Sequence, residues 1–256
     1  MPWADMRLPR RHYKRTGETV GDLANRPFPP WELVLETVSV RLREVLPGEP
    51  RPMKLYMTPG SCSTGIHILL EELGIPFEVY LVNLPAGDHR KPEYLAINPK
   101  STIPALVRDD GSALTEFQAI AYWLARTYPK ARLLPEDPEG AARVIEMLAY
   151  VVGTLHGQGF ARIFTTESFT SNEAEHEAVR ARGREIAERG FAIVNETLAG
   201  KDYVAGTFSI ADAALFYTEF WADKLGLDLP GHCLAHYRRM LERPAVQRVL
   251  REEGYR

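Results

Sequence analysis

From residue 53 onward the apolar positions follow one spacing and then another, and the change of spacing divides the chain. "KLYMT" (54–58) is a short strand candidate. Ile66, Leu69, Leu70 and Leu73 then recur at three- and four-residue steps, which predicts a helix closed by Gly74. "FEVYLV" (77–82) alternates and is rich in aromatic and β-branched residues, the pattern of a strand. A polar stretch (83–101) follows, and "IPALVRDDGSALT" then holds two short strands around Asp110-Gly111, a strong hairpin signal. "EFQAIAYWLARTY" (116–128) returns to helical spacing. The order is βαβ, an irregular helix-bearing stretch, then ββα.

Beyond "PKARLLPEDPEG", a linker by composition, no strand pattern persists. Helices are predicted over 143–163, over 173–198 and through "SIADAALFYTEFWADKLG", with two shorter ones closing the chain and Pro244 at the start of the last. Ser209 and Asp212 are spaced as a capping box and are read as structural. Upstream of residue 53 the first 30 or so residues are polar, basic and punctuated by proline. Trp31, Leu35, Val38, Leu42 and Val45 then make an amphipathic helix, ended by "LPGEPRP". The division expected is an N-terminal extension (1–52), partly disordered with one helix, a small α/β domain (53–130) and an all-helical domain (138–256). A strand-rich unit with a cysteine at its first strand-to-helix turn fits a layered sheet-and-helix design.

Composition narrows the function classes. In 256 residues, 45% are hydrophobic and 25% charged, with a formal net charge of -3, so no global field draws the chain to nucleic acid or an anionic membrane. No apolar run approaches the roughly 20 residues of a membrane span. The N-terminus has no apolar core of a secretory signal, and the acidic residues around Arg7, Arg10, Arg11, Lys14 and Arg15 oppose a transit peptide. Two distant cysteines, Cys62 and Cys233, make no disulfide framework, and a reducing cytoplasm is the expected compartment. "HCLAH" places His232 and His236 on one helix face, but no further ligands accompany them at metal-site spacing, and no metal is expected.

Cys62 is the candidate for chemistry. It lies at or just before the first turn of a helix, where unpaired N–H groups and the helix dipole can lower a thiol pKa from about 8.5 toward 3.5–7.5. Ser61 and Ser63 add hydroxyls beside it. Cys62-Ser63-Thr64-Gly65 lacks the second cysteine of a dithiol cycle, which leaves a monothiol site, a site for another molecule's thiol, or a buried inert cysteine.

Six segments carry a family resemblance: "MKLYMTPGSCSTGIHILLEELGIPFEVYLVNL", "EYLAINPKSTIPAL", "LTEFQAIAYWLA", "LHGQGFARIF", "FSIADAALF" and "MLERPAVQRVLREEG". In this order and at this spacing they resemble the bacterial, beta-class glutathione S-transferases, over residues 53–256. The resemblance implies a thioredoxin-like N-terminal domain, an all-α C-terminal domain and a cytoplasmic homodimer. It implies glutathione as co-substrate, bound mainly by the first domain, and a small electrophile in a cleft between the two. Cys62 matches the family cysteine beside the glutathione sulfur, which stabilises that thiolate or exchanges with it, with Ser63 the nearest alternative hydroxyl. Ile103 and Pro104 match the cis-proline pair that docks the ligand's cysteinyl backbone. Glu116 and Phe117 match the pair at a helix N-terminus that holds the γ-glutamyl end. Phe117 stands where Ser or Gly is usual, so a hydroxyl contact is absent. His156 matches the family histidine ahead of Gly-Phe, with one residue inserted after it; Arg90 and Lys91 are candidates for a further lysine contact. The reading is a glutathione transferase, with a non-catalytic ligand-binding or interaction protein of the same fold as the alternative.

Overall fold

The computed structural model describes residues 52–255. The extension read at 1–52, with its amphipathic helix, lies almost wholly outside the described residues. The described residues form two compact units: one from 52–124 together with 244–255, the other from 125–243.

The first unit is built on a four-stranded sheet. Strand β1 (Met53–Met57) lies beside β2 (Phe77–Leu81) in parallel. It pairs antiparallel with β3 (Ala105–Val107), which pairs with β4 (Ala113–Thr115), giving the order β2-β1-β3-β4. Alternation sorts the side chains of β1: Leu55 and Met57 are fully buried, while Tyr56 stacks on its cross-strand partner Tyr80 with ring centroids 4.9 Å apart. Between β1 and β2 runs α1 (Ser63–Leu73), buried throughout from Ser63 to Leu70 rather than along one stripe, with Leu73 part-exposed; Gly74 takes a φ of 63° and closes the helix. A single turn, α2 (Pro92–Leu95), precedes β3. The hairpin forms at Asp110-Gly111 as expected, with Gly111 at a φ of 82° and Arg108 N–H donating to Ser112 O at 2.9 Å. Helix α3 (Phe117–Thr127) follows β4 directly.

The second unit is helical. α4 (Pro138–Tyr150) has Asp137 as its N-cap, the carboxylate accepting from Gly140 N–H at 2.7 Å. Because this cap is exposed, Asp137→Ala is expected to lower stability by about 1 kcal/mol, read by chemical denaturation. The predicted helix over 143–163 is helical throughout but not uniform. Residues Val151–Phe160 are a π-helix, and Ala161 N–H reaches back five residues to His156 O. α5 (Ala161–Phe164) then restores the ordinary turn. His156 thus lies within a widened stretch of helix, not in a loop. α6 (His176–Thr197) packs against this segment through glycines; a Cβ at Gly190 would lie 2.6 Å from Leu155 Cδ2.

α7 (Ile210–Lys224) runs through the core, with every residue from Ile210 to Ala222 buried. Its capping box forms: Asp212 accepts from the Ser209 N–H at 2.8 Å and the Ser209 hydroxyl at 2.7 Å. Asp212 also accepts from Val204 N–H at 2.8 Å, and it meets His236 of α8 (Gly231–Glu242). Both ring nitrogens of His236 are engaged, by Glu219 at 2.8 Å and Asp212 at 3.2 Å, while Cys233 donates to Phe191 O. That geometry uses His236 in an ion-pair network and leaves it no ring nitrogen for a metal.

The last helix, α9 (Pro244–Glu252), belongs to the sheet unit, whereas its position in the sequence groups it with the helical domain. Its buried stripe of Ala245, Val246, Val249 and Leu250 packs on α1, and Arg248 pairs with Glu71 at 2.6 Å. No described helix is long and apolar enough to cross a membrane.

Candidate functional site

The turn from β1 into α1 carries Cys62, and its form is dictated by side chains that replace missing backbone partners. Thr58 N–H donates to Ser63 Oγ at 3.1 Å, and Ser63 Oγ donates in turn to Thr58 O at 3.1 Å. Ser61 and Ser63 hydroxyls lie 2.5 Å apart. Ser63 is therefore buried and occupied in shaping the turn, an arrangement that favours a structural use of its hydroxyl.

Cys62 is the residue just before α1, and its thiol donates to Ile103 O at 3.6 Å. The Ile103-Pro104 bond is cis. The structure thus brings together, across 41 residues of sequence, the cysteine and the proline pair singled out separately. The electrostatics differ from the expectation. Burial pushes the Cys62 thiol up to about 12, against the opposing pull of the Cys62 and Ser63 N–H groups, and the negative charge of Glu116 adds to the rise. Removing a thiolate from water outweighs what a helix terminus supplies. Burial therefore favours the protonated thiol, the form that donates to Ile103 O.

Glu116 sits immediately before α3 with a φ of 73°, in the left-handed region. Such a conformation costs a non-glycine residue on the order of 1–3 kcal/mol. Its carboxylate is half-exposed and paired with Lys100 at 2.9 Å. Phe117, at the first position of α3, is buried, 4% exposed. The ring that stands in place of a small residue faces the protein interior and not solvent. Of the basic candidates before β3, Lys91 pairs with Asp88 at 2.7 Å, and Arg90 closes a short 3-10 turn.

His156 belongs to the helical unit, in the middle of the π-helix. Its Nδ1 lies 3.3 Å from the Tyr217 hydroxyl, and its ring meets Trp221 edge-on at 5.0 Å. Desolvation lowers its pKa to about 4, so the ring is neutral at pH 7.

One group of residues escaped the sequence reading. Glu253, in the C-terminal segment after α9, is 1% exposed and accepts three hydrogen bonds. These come from Gly60 N–H at 2.8 Å, the Thr64 hydroxyl at 2.7 Å and His67 Nδ1 at 2.9 Å. Gly60 has a φ of 71°, and a Cβ there would lie 1.9 Å from the Tyr255 hydroxyl. Two glutamates raise the His67 pKa to about 9 despite burial. The end of the chain thereby pins both sides of Cys62, at Gly60 and at Thr64. The available signals were a histidine within the apolar run "IHILL" and the acidic pair before the final glycine.

A sheet unit with a donor thiol at its first turn, a cis-proline loop against that thiol and a helix N-terminus close by, followed by a helical unit, has the architecture of a thiol-binding transferase. Comparison with known proteins gives the family. Residues 60–127 match the glutathione S-transferase N-terminal domain and residues 177–252 the glutathione S-transferase C-terminal domain. Glutathione S-transferase GstA of Escherichia coli O157:H7 is 39% identical over 211 residues, 79% of this chain and 99% of that protein. Among solved structures, a glutathione transferase homologue from Sulfitobacter with bound glutathione is 32% identical, with a TM-score of 0.73 over 77% of this chain and 96% of its own. The beta-class glutathione S-transferase of Sphingomonas chungbukensis is 31% identical, with a TM-score of 0.69 over 79% of this chain and 100% of its own. The chain belongs to the glutathione S-transferase family, with beta-class enzymes among its bacterial neighbours.

Proposed function

We propose that the sheet unit binds glutathione with its sulfur beside Cys62, and that Cys62 acts by donating its proton's hydrogen bond to the glutathione thiolate. The observation that supports this reading is the Cys62 thiol itself: buried, protonated and already donating to a weak acceptor, Ile103 O, at 3.6 Å. A thiolate is a far better nucleophile than a thiol, so a donor that favours the ionised ligand promotes attack on a soft electrophile. Ile103 and Pro104 receive the cysteinyl backbone, and Glu116 with the N-terminus of α3 receives the γ-glutamyl end. Any contact made by His156 is that of a neutral ring. Ser63 shapes the turn. The protein works as a cytoplasmic homodimer, as the resemblance to beta-class enzymes implies.

The test is calorimetry with glutathione followed by conjugation of a chlorodinitrobenzene-type electrophile. Binding in the micromolar to millimolar range with saturable conjugation is the expected result; absence of binding at millimolar glutathione defeats the reading. Phe117 favours a second reading, a ligand-binding protein without turnover, because a hydroxyl that would hold the ligand is missing. Binding without conjugation of any electrophile would select it.

A further inference from the structure

We propose that His67, Glu71 and Glu252 form a binding site for a first-row divalent cation, zinc by the chemistry of its donors, where α9 packs on α1. The three side chains each offer one ligand atom, and these atoms all lie within 4.8 Å of one another. His67 and Glu71 stand four residues apart on α1, so they share a helix face. Glu252 is the last residue of α9, in contact with α1 within the same unit. The sequence expectation of no metal rests on spacing, and spacing shows only the first two of these residues.

The imidazole makes this more than a pair of acidic residues. His67 is 1% exposed. Its Nδ1 is engaged by Glu253 Oε1 at 2.9 Å, and Phe77 meets the ring edge-on at 5.6 Å, so the ring plane is fixed. The other nitrogen, Nε2, is buried and makes no hydrogen bond. Glu252 Oε2 lies 3.3 Å from it, beyond the usual N–H···O range of about 2.7–3.2 Å. That distance suits two donors on one tetrahedral zinc, whose bonds of about 2.0–2.2 Å set neighbouring ligand atoms roughly 3.4 Å apart. A carboxylate on Nδ1 with Nε2 facing further carboxylates is also how an imidazole is oriented for zinc.

Charge points the same way. Glu71, Glu252 and Glu253 set three carboxylates against Arg248 and His67, at most two positive charges. Glu71 Oε2 holds Arg248 at 2.6 Å, which leaves its second oxygen for the ion. Glu253 gives Oε1 to His67 and Oε2 to Gly60 and Thr64, so it supports the imidazole and is not a ligand. On binding, the ion takes the place of the proton on His67 Nε2, that proton passes to solvent, and the charges of the five side chains are balanced. A shell of one imidazole and carboxylates suits zinc, whereas magnesium and calcium take oxygen ligands. The Glu252 side chain is 23% exposed, which gives the ion and a completing water a way in. The bound ion fastens the end of the chain to α1.

The experiment is calorimetric titration of zinc chloride into the chelator-treated full chain near neutral pH. One ion per chain is expected, with a micromolar or tighter Kd that excess magnesium does not change. Glu71→Gln and Glu252→Gln are each expected to weaken binding by about tenfold or more, and Glu253→Gln by about tenfold through the imidazole. Zinc should raise the Tm of wild type and not that of Glu252→Gln, whose partly exposed side chain makes it the variant safest to fold. X-ray absorption of zinc-loaded wild type needs no variant and should show oxygen and imidazole nitrogen around the metal, without sulfur. A sulfur shell would put the ion on a cysteine and overturn the proposal. So would an affinity that either Glu71→Gln or Glu252→Gln leaves unchanged, or no binding at millimolar zinc, which would leave His67 as a partner in ion pairs alone.

Discussion

Glu253→Ala is expected to destabilise the sheet unit by about 3–5 kcal/mol, the range for removing one partner of a buried charged pair. The loss has three parts. His67 keeps Glu252 at 3.3 Å but loses Glu253 at 2.9 Å, and Gly60 N–H and the Thr64 hydroxyl lose their buried acceptor. With ordinary domains stable by about 5–15 kcal/mol, such a variant can fail to fold. Glu253→Gln can keep its one oxygen for Gly60 and Thr64 but turns an NH2 toward His67 Nδ1 in place of the carboxylate oxygen, so it removes the ion pair and leaves the other two contacts; it should be milder and remain measurable. Chemical denaturation monitored by tryptophan fluorescence reads both. Because Gly60 and Thr64 flank Cys62 and lose their acceptor in Glu253→Ala, that variant, where it folds, should also weaken glutathione binding, whereas Glu253→Gln should leave binding near wild type.

The same network sets a pH dependence. His67 has a folded pKa of about 9, raised from the ordinary 6.5, so the folded protein holds this proton more tightly than the unfolded chain does. The stability it contributes is fully present below pH 6.5 and is lost as pH rises through about 9. His236, raised to about 10 between Asp212 and Glu219 in the helical unit, contributes with the same sign. The part due to His67 is therefore isolated by difference: the decline between pH 6.5 and 9 should be shallower in Glu253→Gln than in wild type. Parallel curves would show that the pair is not an ion pair.

What could be read from the sequence was what residues a few positions apart decide. Asp110-Gly111 gives its turn wherever it stands between two strands, Gly74 closes α1, and Ser209 with Asp212 builds a cap within one helical turn. The partnership of Cys62 with the Ile103-Pro104 loop became legible through family resemblance, since no periodicity links them. The clamp on the Cys62 turn did not, because Glu253 and His67 are 186 residues apart and each alone looks like an ordinary charged residue. The direction of the Cys62 thiol pKa is hidden from the sequence for a related reason. A helix N-terminus is visible in sequence, but the burial that overrides it comes from packing. Helical spacing around His156 is legible, yet only the backbone reveals that the stretch is a π-helix.

Cys62→Ala is expected to lower kcat/KM for conjugation by roughly ten- to hundredfold, and Cys62→Ser to retain most of it. A hydrogen bond to a charged group is worth about 1.5–3 kcal/mol, which is that range of rate. The argument turns on which proton form of Cys62 is present. Burial holds the Cys62 thiol well above its ordinary pKa, so the protonated form is favoured at pH 7 and attack on a mixed disulfide is disfavoured. The protonated form can donate, and a serine hydroxyl in the same place can do likewise, whereas alanine cannot. The pH-rate profile separates this from a structural effect. Loss of the donor should move the limb belonging to the bound glutathione thiol to higher pH in Cys62→Ala and leave it near wild type in Cys62→Ser. A nucleophilic Cys62 would give the opposite pattern: wild type would reduce glutathione mixed disulfides rapidly, both variants would lose that activity, and conjugation would be unchanged. That outcome would require the bound ligand to reverse the desolvation that now keeps the thiol protonated.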